Sequence, residues 1–138
     1  MAPPSTELKV ALWQVSTARD AATHRWNIRW EVENLGSDAL KIVSVRLPHG
    51  QFKSDEQRFT PALELAGSAR EQFESLVHCE EPAGLATENA FVILHCQWRG
   101  ETWRIFVRIR VIINTNGEPE TATELITTQK VGFAGISR

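Results

Sequence analysis

The chain has 138 residues, 42% of them hydrophobic, 23% charged and 8% aromatic, with a formal net charge of -2. That is material for one sizeable core, and the composition excludes collagen, coiled coil and disorder throughout. Fifteen Lys and Arg against seventeen Asp and Glu leave no global field to steer a polyanion, so no nucleic acid is expected as the partner.

The stretch Met1 to Glu7 has neither a basic nor an apolar region of a signal peptide. No apolar run reaches the length of a membrane-crossing helix, so no membrane contact is expected. With only Cys79 and Cys96 as thiols, a cytoplasmic location is the expectation.

Leu8–Val15 is the first predicted strand. In residues 26–33, Trp26, Ile28, Trp30 and Val32 alternate with Asn27, Arg29, Glu31 and Glu33, the rhythm of a half-buried strand. Asn34-Leu35-Gly36-Ser37-Asp38 supplies turn chemistry before the β-branched run Leu40–Leu47. Pro48-His49-Gly50 is expected to close that run. Arg58–Leu65 and Glu71–Cys79 are two further predicted strands, joined through Ala66-Gly67-Ser68, and residues 80–84 form a loop. A short turn is expected at Ala86–Ala90, then a strand over Ala90–Trp98. Arg99-Gly100-Glu101-Thr102 reads as a hairpin connection to the strand Trp103–Ile113, whose odd positions are all apolar and whose even positions carry three arginines.

About seven short strands and almost no helix predict an all-β fold, a two-sheet antiparallel sandwich, with a closed barrel as the competing architecture. The junction Glu33-Asn34-Leu35-Gly36-Ser37-Asp38-Ala39-Leu40 resembles the strand, Asn-x-Gly, strand junction of bacterial immunoglobulin-like accessory domains of the CARDB and fibronectin-III-like groups. The resemblance spans roughly residues 7–114 and implies an immunoglobulin-like sandwich. The chain has no Tyr, hence no tyrosine corner, and no Cys…Trp…Cys spacing of antibody domains. The predicted organisation is therefore a sandwich over 1–114, followed by a polar linker and C-terminal arm over 115–138. The arm is read as loose or partly docked, as pairing with a sheet edge, or as covering an apolar face through Leu125, Ile126 or Phe133.

Candidate chemistry is sparse. His78-Cys79 and His95-Cys96 are adjacent pairs, and neighbours on a strand point to opposite faces, so neither pair chelates one ion without a bulge. No zinc-type spacing occurs, so no metal and no cofactor are expected. Antiparallel strands would put Cys79 and Cys96 ~20 Å apart, beyond disulfide reach, so two free thiols are expected. Asp20, Asp38 and Asp55 fall in predicted loops, where turn or cap duty explains them. With no nucleophile elbow or phosphate loop, the chain is not expected to be an enzyme. His49, between Pro48 and Gly50, is the one candidate metal ligand or base. It carries the alternative reading of a metal-binding or hydrolytic domain, against a plain turn residue bonded to its own backbone.

The outward positions of the last two strands are the main candidate site. Phe91, Ile93, His95 and Gln97 would share a face with Arg104, Phe106, Arg108, Arg110 and Ile112. Leu40, Ile42, Ser44 and Arg46 would join if their strand flanks them. Apolar and aromatic side chains edged with arginine have the composition of a binding surface, against the alternative of a solvated face whose arginines pair with glutamates on neighbouring strands. The expected function is a non-catalytic binding or assembly module, with a protein partner or self-association through Phe91, Ile93, His95, Arg104, Phe106, Arg108 and Arg110. A carbohydrate-binding accessory sandwich is a third reading. It would rest on Trp13, because Trp26, Trp30, Trp98 and Trp103 fall on inward positions.

Overall fold

A computed structural model describes residues 7–131. Eight strands follow in order: β1 (Val10–Asp20), β2 (Arg25–Asn34), β3 (Leu40–His49), β4 (Phe52–Leu65), β5 (Arg70–Val77), β6 (Ala86–Trp98), β7 (Glu101–Ile113) and β8 (Pro119–Lys130). They form two antiparallel sheets, β1-β2-β5 and β4-β3-β6-β7-β8, packed as a sandwich. Among the described residues no helix is long and apolar enough to cross a membrane.

Two-residue alternation builds the core. Trp26, Ile28, Trp30 and Val32 of β2 are buried against Ile105, Val107, Ile109 and Val111 of β7 and their neighbours. Trp30 meets Phe52 of the opposite sheet edge-on, with ring centroids 6.4 Å apart. The β6–β7 hairpin turns on Arg99 (φ 51°) and Gly100 (φ 71°). Both central positions are left-handed, as a two-residue turn of type I′ requires.

One buried polar residue joins two turns at the end of the sandwich. Asn34, fully buried, donates through Nδ2 to the carbonyls of Asp38, Leu65 and Ala66 at 2.9, 3.1 and 3.2 Å. Its Oδ1 accepts from the Gly36 amide at 3.0 Å. The turns approach so closely that a Cβ on Gly67 would stand 2.5 Å from the Ser37 carbonyl oxygen.

Both open sides of the sandwich are stitched. Lys53 and His78 exchange backbone hydrogen bonds of 3.0 and 2.7 Å beside β4 and β5. On the other side, Gln14 of β1 accepts from the Thr121 amide at 2.8 Å and donates to the Pro119 carbonyl at 3.1 Å. Thr123 Oγ1 donates to the Leu12 carbonyl at 2.7 Å. These contacts occupy a few of the backbone groups along the edge strands.

The structure departs from the sequence reading at several places. Of the readings of the arm, edge pairing holds and the loose and covering ones do not: its residues form β8, an eighth strand paired with β7 from Ile113↔Pro119 to Trp103↔Lys130. It extends the sheet sideways instead of lying over it; Phe133 lies outside the described residues. Ala86–Ala90 is not a turn but the start of β6, with a register shift between Thr87 and Ala90 where Asn89 takes φ 59°. β3 continues through Pro48 and His49, which pair with Lys53 and Phe52, and Asp55 lies within β4 and not in a loop. Leu40 and Ile42 are core residues, not surface ones. A register shift at Val43, between Ile42 and Ser44, reverses which side chains point outward.

Candidate functional site

The register of the five-stranded sheet arranges its outer side chains in rows. The first row runs Arg58, Ser44, His95, Arg104, Gln129 from β4 to β8. The second runs Arg46, Ile93, Phe106, Thr127, and the third Phe91, Arg108, Leu125. Arg110, opposite Ala122, follows along β7. Every residue of the sequence-derived set therefore shares one face: Phe91, Ile93, His95, Arg104, Phe106, Arg108 and Arg110. Leu40 and Ile42 are excluded from it by the Val43 bulge, while Ser44 and Arg46 belong to it.

Ile93 sits at the centre. It is 6% exposed, yet it does not belong to the buried cluster between the sheets. By register its outer neighbours are Phe106 across the strands and Phe91 and His95 along β6. Phe91 and Phe106 beside it are half-buried, and Leu125 is exposed. An apolar residue beside two half-buried aromatic ones on a sheet's outer surface marks a second, shallow apolar cluster.

Charges surround this cluster unevenly. Ser44 Oγ donates to Glu56 at 2.6 Å. That bond is the main cause of a carboxyl held below the ordinary range; burial opposes it as the next largest effect, and His95, Arg58 and Arg46 each add a smaller attraction. His95 is pushed down, chiefly by burial. The nearby carboxylate of Glu56 opposes that shift, while Arg104, Arg46 and Arg58 reinforce it. Arg110 Nε reaches Glu88 at 2.7 Å, whereas Arg108 Nε stands 3.8 Å from Glu124, beyond hydrogen-bond reach. The Nε atoms of Arg104 and Arg108 are both shielded from solvent and have no hydrogen-bond partner.

The outer face of the three-stranded sheet is different. Arg29 pairs with Glu74, and Arg70 lies within 3.4 and 3.5 Å of Glu31 and Glu33. That is a solvated surface of matched cross-strand charges.

Other candidates have local duties. His49 Nδ1 accepts from the Gln51 amide at 3.1 Å, closing the β3–β4 turn. Asp20 accepts from the Ala22 amide and the Thr23 hydroxyl in the β1–β2 turn, and Asp38 accepts from Arg99 Nε at 2.6 Å. Among the described residues no three of His, Cys, Asp and Glu gather where they could hold a metal ion. Cys79 and Cys96 are both free and buried. Trp26, Trp30 and Trp98 are buried and Trp103 packs on the core. Trp13 is half-buried, with the Arg70 guanidinium 5.5 Å from its ring centre.

Glu56, Arg58 and Leu125 are face residues that the local pattern does not announce. Their membership depends on which strands flank β3 and β7, and alternation within one strand carries no information about its neighbours.

No family model matches the chain, and no curated protein matches it. It is similar to a solved chain described as "X-ray structure of Northeast Structural Genomics Consortium target SoR45", at 10% identity and a TM-score of 0.31 over 93% of this chain and 88% of that one.

Proposed function

We propose that the protein is a non-catalytic binding or assembly module that meets a protein partner, or a second copy of itself, through the outer face of its five-stranded sheet. The observation that carries this reading is the register that sets Phe91, Phe106 and the exposed Leu125 beside Arg104 and Arg108 on one outer face. Five strands set about 4.8 Å apart, and the rise from Arg104 to Arg110, give a face of roughly 19 by 20 Å, on the order of 400 Å². That is about half of what each partner contributes to a standard interface. Phe and Arg at its centre are residue types enriched at protein interfaces. The strand order, with β4 beside β3 in the sheet opposite β1-β2-β5, supports an immunoglobulin-like reading of the sandwich.

Size-exclusion chromatography with light scattering, together with pull-down, tests the proposal on wild type, Phe106→Glu and Arg108→Glu. Wild type should associate, and both variants should lose association while keeping the wild-type circular dichroism spectrum. A wild type that stays monomeric at high concentration and retains no partner would contradict it.

A further inference from the structure

Building on the reading of this face as a contact surface, we infer that its occupant is an acidic segment of another protein, with apolar side chains set between its carboxylates. Within the rows from Arg104 to Arg110 the face carries Arg46, Arg58, Arg104, Arg108 and Arg110 against Glu56, Glu88 and Glu124. Five positive groups against three negative ones leave a surplus of two, on a chain whose net charge is -2. A two-fold contact between copies would double that surplus inside one interface, where like charges are costly. Glu56 is shared among His95, Arg58 and Arg46 and is already bonded to Ser44. Arg104 has no hydrogen-bond acceptor at Nε, and Arg108 has its carboxylate only at 3.8 Å.

The rows also set a spacing. Arg104, Phe106 and Arg108 follow at every second position of β7, about 6.8 Å apart. A partner segment running along the strands meets cation, apolar group and cation in turn. Its carboxylates would accept from Arg104 and Arg108, and an apolar side chain between them would cover Phe106. Guanidinium groups suit this task because they bind carboxylates in a fixed planar fork.

Fluorescence anisotropy with labelled dodecapeptides tests the inference on the full chain. The probes are alternating Glu and Leu, alternating Lys and Leu, and labelled oligo-dT as a polyanion without apolar side chains. The Glu–Leu peptide should bind at least tenfold more tightly than either other probe. Arg104→Gln combined with Arg108→Gln should weaken it at least tenfold, as should Phe106→Glu, with unchanged circular dichroism in each variant. Preference for the Lys–Leu peptide, lost in Phe106→Glu, would overturn the acidic occupant and leave the contact face standing. Equal or tighter binding of oligo-dT at the same residues would overturn it in favour of a nucleic acid. A wild-type dimer that dissociates in Phe106→Glu would assign the face to a second copy. Absence of Glu–Leu binding would also overturn the inference.

Discussion

Ser44 and Glu56 are joined by a 2.6 Å hydrogen bond on the outer surface of the five-stranded sheet. The bulge at Val43 places Ser44 there, opposite His95 and Arg58. A single irregular backbone position thus sets a carboxylate among cations at the edge of an apolar cluster.

The first expectation concerns the pH response of that carboxylate. Glu56 has a folded pKa below its ordinary value, because the Ser44 hydroxyl favours the ionised form. Its stabilising contribution is therefore complete above the ordinary carboxylate range, and it is lost as pH falls through the depressed folded pKa. His95, also lowered, acts with the same sign: the folded state prefers the neutral ring, and stability declines as pH falls below the ordinary imidazole range. Ser44→Ala should raise the Glu56 pKa, measured by NMR titration of its carboxyl carbon. An unchanged titration would show that the hydroxyl does not govern the group.

Asn34 is expected to be the most sensitive polar position. Asn34→Ala leaves the carbonyls of Asp38, Leu65 and Ala66 and the Gly36 amide without their partner inside a closely packed junction. A loss of about 2–4 kcal/mol is expected from urea unfolding, from the cost of stranding buried polar groups. Gly67→Ala should also destabilise, because its Cβ would collide with the Ser37 carbonyl. Wild-type unfolding midpoints in both variants would contradict this account of the junction.

Neither thiol should react in the folded protein. Burial pushes the Cys96 thiol up to about 12, and it raises Cys79 as well. Thiolate is the reacting species, so a thiol reagent such as dithionitrobenzoate at mildly alkaline pH should label both cysteines only after unfolding. Rapid labelling of the native chain would show that the core opens near them.

Much of the fold was legible because two strands carry clean alternation. Residues 26–33 and 103–113 are each half-buried, so period two separates core from surface, and Trp30 and Ile105 are indeed buried while Arg29 and Phe106 face outward. The same rhythm placed Phe91, Ile93, His95 and the three arginines on one face. It failed for Leu40 and Ile42 because a bulge reverses the facing of a strand partway along. Val43 is an ordinary β-branched residue that gives no sign of one. β8 was only one of the readings open for the arm, for another reason. It is an edge strand, with Ile126 packed on the core and most of its Thr and Glu side chains exposed, so its pattern is that of a polar loop. Asn34 belonged to a recognised turn motif, but its role depends on Leu65 and Ala66, more than thirty residues away, and no local pattern contains that.

Site-specific photocrosslinking in cells of the source organism tests the contact face most directly. One chain would carry p-benzoylphenylalanine at Phe106, and a control would carry it at Asn27 on the charge-matched outer face of the three-stranded sheet. The chain labelled at position 106 should give a discrete protein adduct, weakened by Arg104→Gln, and the control should give none. Adducts of equal yield from both positions, or none from position 106, would contradict the assignment of the Ile93–Phe106 face as the contact surface.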